Sequence, residues 1–113
     1  MRETTTAGAG TLFQYEGSTS GDIRLLLKST KVIIPKKLIQ AILTKFKNKA
    51  VVGGFSVTSP PVDGLGYYIQ EYSKSNLERS LSPRFASHLS AIFRDEGLAT
   101  LTKKGNKIII RFI

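Results

Sequence analysis

Residues 82–113 read SPRFASHLSAIFRDEGLATLTKKGNKIIIRFI and contain the clearest local signals in the chain. Ser82 and Pro83 predict a helix start, because the serine hydroxyl can accept a first-turn N–H and proline supplies a helical φ where no donor is needed. The predicted helix 83–96 has one apolar stripe, made of Phe85, Leu89, Ile92 and Phe93. Gly97 is a typical helix stop.

The other side of helix 83–96 carries short polar side chains with an arginine near each end: Arg84, Ser87, His88, Ala91 and Arg94. We expect this face to be exposed. After Gly97, two apolar segments flank a Lys104-Gly105-Asn106 turn, which predicts a β-hairpin with a basic tip. A small polar helix face followed at once by a basic hairpin suits a nucleic-acid groove.

The composition of the whole chain points in the same direction. The 113 residues are 41% apolar, so we expect one domain with a packed core. Because there is no cysteine, disulfides, a thiol nucleophile, zinc–thiolate sites and iron–sulfur clusters are excluded. Seventeen Lys+Arg against eight Asp+Glu give a net charge of +9, which predicts a polyanionic partner such as DNA, RNA or an acidic lipid surface. The alternatives are a charge that serves only solubility, or a subunit with an acidic neighbour.

The N-terminal third predicts a small β-rich extension. Residues 1–10 are small and polar, so we expect a mobile tail in front of a single domain at 11–113. Short strands are predicted at 11–16, 23–28 and 31–34, although IRLLLK can also begin a helix. No signal peptide is visible and no window approaches the roughly 18–20 apolar residues of a membrane span. We therefore expect a cytoplasmic protein without a membrane span, associated with nucleoid or chromatin if it binds DNA.

The middle of the chain predicts two further helices and one strand. PKKLIQAILTKFKN (35–48) has a continuous apolar stripe and a lysine-rich outer face, interpreted as a solvated surface, with a membrane or a partner as alternatives. VVGGFSV (51–57) predicts a strand with a bend, because its Gly-Gly pair lacks the Lys-Ser/Thr of a P-loop. Asp63 is the predicted N-cap of helix 64–73, which two glycines weaken.

The order of helix 35–48, strand 51–57, helices 64–73 and 83–96 and hairpin 98–113 resembles the winged helix-turn-helix domains. The run FRDEGLATLTKKGNKIIIRF is similar to the passage from recognition helix into wing. The resemblance is most specific within residues 82–113. It implies an α+β fold of three helices and a C-terminal β-hairpin wing, here with a short N-terminal β extension. In such domains the last helix enters the major groove and the wing contacts the backbone or minor groove.

The resemblance further implies duplex DNA as the partner. The implied contact residues are Ser82, Arg84, Ser87, His88 and Arg94 on the helix and Lys103, Lys104 and Lys107 on the wing. Arginine can read guanine, serine and histidine can donate to bases or phosphates, and the lysines neutralise backbone charge. The alternative is a polar helix face that is simply solvated.

The residue inventory does not favour an enzyme. One histidine, no cysteine, no Gly-x-Ser-x-Gly elbow and scattered carboxylates offer neither a nucleophile nor a metal site, so we expect no catalytic residues, no metal and no cofactor. Two other hypotheses stay open. Phe55, Tyr67, Tyr68 and Tyr72 can form an exposed aromatic patch for another protein or for a homodimer, and tyrosines near lysines can stack the bases of RNA or single strands.

Overall fold

Two antiparallel sheets and three helices make up the fold, as described for all residues 1–113 by a computed structural model. The elements in chain order are β1 (Arg2–Thr5), β2 (Leu12–Gly17), β3 (Ile23–Leu26), β4 (Lys31–Ile34), α1 (Lys36–Lys45), β5 (Ala50–Val52), α2 (Leu65–Asn76), α3 (Phe85–Asp95), β6 (Ala99–Lys104) and β7 (Lys107–Phe112). The predicted α+β class is confirmed.

The N-terminal sheet is a meander in the order β1-β2-β3-β4. Tyr15 pairs with Leu25 and Leu25 with Val32, so these side chains lie on the same inner face of the sheet. The inner face is buried against the helices. The three predicted strands are confirmed. Residues 1–10, predicted as a mobile tail, contain β1, which pairs with β2 along its whole length.

Helix α1 follows directly from the N-terminal sheet. It begins after Pro35, and the Asp22 side chain accepts the Lys36 N–H at 2.8 Å, which satisfies one donor of the first turn. Its stripe of Leu38, Ile39 and Ile42 is fully buried, and its lysines are exposed. The helix ends at Lys45 and not at residue 48 as predicted. No helix of the protein is long and apolar enough to cross a membrane.

The C-terminal sheet has the strand order β5-β7-β6, so β7 lies in the middle. The predicted hairpin is confirmed: β6 and β7 are joined by the two-residue turn Gly105-Asn106, and Gly105 takes the positive φ of 60° that its first position requires. The predicted strand 51–57 stops at Val52. Residues 53–63 form a loop, which stays attached to the sheet through the Gly53 N–H and the Ile108 carbonyl oxygen (2.8 Å).

Helix α2 packs on this loop through a glycine contact. The Gly66 N–H donates to the Gly53 carbonyl oxygen at 2.9 Å, and a Cβ on Gly66 would overlap the Gly54 carbonyl oxygen. The glycine that weakens α2 in isolation is thus needed for its close approach to the loop. The prediction of Asp63 as N-cap is wrong, because Gly64 holds that position without a side-chain bond.

Helix α3 lies at the centre of the molecule, in contact with β1, β6 and α2. It starts at Phe85, two residues later than predicted, and its last residue is Asp95. Gly97, just beyond the C-cap Glu96, has a φ of 74° and donates its N–H to the Arg94 carbonyl oxygen, which confirms the predicted stop. The Glu96 carboxylate accepts the Thr19 hydroxyl at 2.6 Å and so ties the end of α3 to the N-terminal sheet. All nine residues from 85 to 93 are buried.

Candidate nucleic-acid interface

The tip of the β6–β7 hairpin concentrates positive charge. Lys104 pairs with Lys107 across the turn, Lys103 pairs with Ile108, and all three lysines are exposed. None of them forms an ion pair, since the three ion pairs of the protein are Arg24–Glu16, Lys74–Glu71 and Arg94–Asp95. The charge of the tip is therefore fully available to an external anion.

The same charge continues along one face of the C-terminal sheet. Ile110 and Phe112 point into the core, so the alternation of β7 places Lys107, Ile109 and Arg111 on the opposite side. Their partners on this side, called here the outer sheet face, are Ala50, Val52, Thr100, Thr102 and Lys104. The outer sheet face contains three basic residues and no carboxylate.

A second basic segment borders the far end of the outer sheet face. The Phe112 N–H donates to the Lys49 carbonyl oxygen at 2.9 Å, which places the turn that contains Lys47 and Lys49 beside the end of β7. Six residues of strand separate this turn from the hairpin tip, a span of about 20 Å. Exposed cations thus occur at both ends of the sheet.

A groove of about 1020 Å³ lies between the hairpin tip, the loop 53–63 and the turn at Gly8-Ala9. Lys103, Asn106 and Lys107 line it on one side and the half-buried ring of Phe55 on the other. Asp63 is the only carboxylate in the lining. The groove is lined by cations, an amide and an aromatic ring, groups that suit a phosphate and a flat ring. The Phe55 ring also packs closely against Gly8 and Gly53.

The expected exposure of the polar face of helix 83–96 is wrong. Ser87 and His88 are only 8% exposed, and Ala91 is fully buried. The turn that follows β1 lies on them: the Gly8 N–H donates to the Ser87 hydroxyl oxygen at 2.8 Å and the Ala7 N–H to the Ser87 carbonyl oxygen at 3.1 Å. This part of α3 is closed to a groove of DNA while the turn is in place.

The remaining predicted helix residues differ in their availability. Arg84 is exposed, with its guanidinium 5.3 Å from the centre of the Phe85 ring. Arg94 donates to the Thr4 hydroxyl and to the Asp95 carboxylate, both at 3.0 Å. The Ser82 hydroxyl accepts the Arg84 N–H at 3.3 Å and so supports the start of the helix. Arg84 and the three hairpin lysines are thus the freely available members of the predicted set.

His88 lies beside a small cavity of about 310 Å³, which Arg84 and Ser87 also line and which no carboxylate reaches. The Phe13 ring meets the imidazole edge-on at 4.8 Å. Burial lowers the pKa of His88; the carbonyl of Arg84 raises it and the charge of Arg84 lowers it. Nδ1 is buried and makes no hydrogen bond of good geometry. The ring is therefore held mainly by its apolar contacts.

The predicted aromatic patch is largely part of the fold. Tyr68 meets the Phe46 ring edge-on at 5.4 Å and lies 6.0 Å from the Tyr72 ring. Tyr72 donates to the Lys37 carbonyl oxygen at 3.5 Å. All of the predicted patch residues are half-buried, so the tyrosines join α2 to α1 and offer little free area to a partner.

Two residues of this surface escaped the sequence-based prediction: Arg111 and Lys49. The alternation of KIIIRFI is the signal for Arg111, since it places this arginine on the same side as Lys107. Lys49 joins the surface only through the pairing of β5 with β7.

No group of three or more His, Asp or Glu side chains is arranged to hold a metal ion. Comparison of the chain with protein-family models, with curated proteins and with solved structures finds no match.

Proposed function

We propose that this protein binds nucleic acid, with duplex DNA as the preferred form, through the hairpin tip and the outer sheet face. The single observation that carries the proposal is the set of unpaired cations Lys104, Lys107 and Arg111 on a face without any carboxylate. A phosphate backbone is the common biological polyanion with regularly spaced single charges, and several lysines or arginines on one surface neutralise it together.

The arrangement of elements supports a winged-helix reading of the fold. A short strand separates the first two helices, α3 leads through Gly97 into the hairpin, and β5 completes the sheet beside β7. The proposal departs from the usual mode of such domains in one respect. While the turn after β1 covers α3, the hairpin and the sheet make the contacts and the helix stays outside the groove.

The hairpin tip and the outer sheet face favour contacts with the phosphate backbone of a nucleic acid. Lys104, Lys107 and Arg111 lie on the outer sheet face, and Lys103, on the other side of the hairpin, adds a fourth cation at the tip. Each of the four can meet one phosphate, and the hydroxyls of Thr100 and Thr102 are neutral donors on the outer sheet face. Contacts of this kind position a protein on DNA with little regard to base sequence. We therefore propose binding that is strongly salt-dependent and weakly sequence-selective.

A second candidate is the binding of a single strand in the groove beside the hairpin. The observation in its favour is the ring of Phe55 opposite Lys103 and Lys107. An aromatic ring next to cations is a stacking platform that accepts any base.

Fluorescence anisotropy with labelled DNA duplex, RNA duplex and single-stranded DNA of equal length tests both candidates. For duplex binding we expect log K to fall with log[salt] with a slope of about −3 to −4, from four phosphates at −0.9 each. A clear preference for the single strand would select the groove. Absence of binding at low salt, or binding that does not respond to salt, would refute the proposed function.

A further inference from the structure

We infer that α3 carries a second nucleic-acid-binding surface, which residues 1–11 cover and which becomes available when this segment is displaced. The segment, called here the N-terminal cover, comprises β1 and the turn that joins it to β2. The inference rests on the proposed function, since it assumes that nucleic acid is already held at the hairpin. It adds a second contact surface and the element that controls access to it.

The surface under the cover has the chemistry of a nucleic-acid contact. Arg84 and Arg94 stand about 15 Å apart along the helix axis, and the short side chains of Ser87 and His88 lie between them. Short side chains let another backbone come close, arginine reads guanine or phosphate, and a serine hydroxyl can donate or accept. The small cavity between the cover and Arg84, Ser87 and His88 has no carboxylate in its lining, so an anionic partner meets no repulsion at this end of the surface. At the other end Arg94 pairs with the Asp95 carboxylate at 3.0 Å.

Three hydrogen bonds join the cover to α3. The Gly8 N–H donates to the Ser87 hydroxyl, the Ala7 N–H donates to the Ser87 carbonyl, and Arg94 donates to the Thr4 hydroxyl. A phosphate oxygen can accept from Arg94 in place of the Thr4 hydroxyl, and it can also accept from the Ser87 hydroxyl. An amino group on a base edge can donate to the Ser87 hydroxyl oxygen in place of the Gly8 N–H. Nucleic acid can therefore give the Ser87 hydroxyl and Arg94 new partners when the cover leaves.

The cover contributes almost nothing to the hydrophobic core. Of residues 1–11 only Thr6 is buried, and the Met1 side chain is 77% exposed. β1 is an edge strand that pairs with β2 alone. Because apolar burial dominates the stability of a folded segment, this segment opens at a much lower free energy than the core. The next strand differs, since Phe13 and Tyr15 of β2 are buried and stay in place.

The position of Phe13 limits how much of α3 becomes accessible when the cover is displaced. Its ring stays against His88 after the cover leaves, so the newly available groups are the Ser87 hydroxyl, the free edge of His88 and the guanidinium nitrogen of Arg94 that Thr4 holds, next to Arg84, which is already exposed. The N-terminal residues of a helix are the ones that reach base edges when a helix meets the major groove. The cover and the nucleic acid thus compete for the same residues, and the apparent affinity of this surface scales with the open fraction.

A disulfide between positions 8 and 87 tests the inference in the full chain. A Cβ placed on Gly8 lies 3.3 Å from the Ser87 hydroxyl oxygen, close to the distance of about 3 Å that disulfide geometry sets between a Cβ and the partner sulfur. The chain has no cysteine of its own, so the Gly8→Cys, Ser87→Cys variant forms a single bond. Oxidised and reduced samples of one protein then differ only in whether the cover can move.

The readout is binding to a pool of DNA duplexes with randomised centres, followed by sequencing of the bound fraction. We expect the reduced protein to enrich particular sequences and to bind them about five- to 150-fold more tightly than the oxidised protein does, the range of one base-specific contact. If the oxidised and the reduced protein bind with equal affinity and enrich the same sequences, the inference that the cover controls access to α3 is refuted, while the proposed function stands. If neither state binds any duplex, the proposed function itself fails. The single Gly8→Cys and Ser87→Cys variants control for the new side chains and for the loss of the Ser87 hydroxyl.

Hydrogen exchange of the unmodified protein supplies a second, independent test. The amides of Ala7 and Gly8 are protected by their bonds to Ser87. On addition of an enriched duplex, or of the random pool if no sequence is enriched, we expect these two amides to exchange faster while amides of the hairpin become slower. Slower or unchanged exchange at Ala7 and Gly8 together with protection of the hairpin would show that DNA binds with the cover closed, and would overturn the inference.

Discussion

Replacing Lys103, Lys104 and Lys107 with glutamine removes three positive charges from the hairpin tip and keeps side chains of similar polarity. All three lysines are exposed and lack ion pairs, so the replacement disturbs no such contact within the fold. If each lysine neutralises one phosphate, the slope of log K against log[salt] becomes less negative by about 2.7. Between about 50 and 200 mM salt, the affinity of the four-cation surface falls about 150-fold, and that of the variant, which keeps Arg111, about three- to fourfold.

A matched variant removes the same charge elsewhere: Lys28, Lys31 and Lys37 replaced by glutamine, on the β3–β4 turn and the start of α1. We expect its salt slope to stay close to that of the unmodified protein. Anisotropy titrations over a series of salt concentrations measure both slopes, and urea unfolding checks that the two variants are equally stable. Equal loss in both variants would mean that the net charge acts as a diffuse field, and an unchanged slope in the hairpin variant would refute the interface.

Two further predictions concern stability. Burial lowers the pKa of His88 in the folded protein below its ordinary value of 6.5, so the unfolded chain binds more protons as the pH falls below 6.5. In the unmodified protein we expect the free energy of unfolding to fall as the pH is lowered from 6.5 to the folded pKa of His88. In the His88→Gln variant this fall should be smaller. If urea unfolding shows the same pH dependence for both proteins, the lowered pKa of His88 is contradicted. Gly66→Ala forces a Cβ against the Gly54 carbonyl oxygen, and we expect a loss of about 1–3 kcal/mol. Gly21→Ala meets nothing within 4 Å and should change the stability by less than about 0.5 kcal/mol; equal midpoints for the two alanine variants would show that the glycine contact is not needed.

Elements with a local physical cause were predictable from the sequence. The helix stop at Gly97 and the hairpin turn at Gly105 depend on a positive φ that glycine adopts without strain. The buried stripe of α1 depends on helical spacing alone. The charge of the hairpin tip was also predictable, since lysines that flank a two-residue turn are exposed in nearly any packing.

The prediction that failed at the proposed site was the exposure of the helix face around Ser87 and His88. That prediction treated small polar residues as a solvated face, although Ser87 is buried with a hydrogen bond from the Gly8 N–H and His88 is buried against the Phe13 ring. One feature of the sequence did indicate burial of this helix. Residues 85–93 contain no charged side chain, whereas the exposed side of α1 carries several lysines. A helix without long charged side chains over more than two turns is typical of a central position.

The sequence by itself determined the α+β character, the basic hairpin and the excess of positive charge, because composition, turn chemistry and hydrophobic period act over a few residues. Only the tertiary structure decided which basic residues share a surface and which polar residues are covered. Gly8 and Ser87 are 79 positions apart, and Lys49 lies beside the end of β7 only through the pairing of β5 with β7. Contacts between distant segments depend on how the sheets and helices pack together, and no local pattern records them.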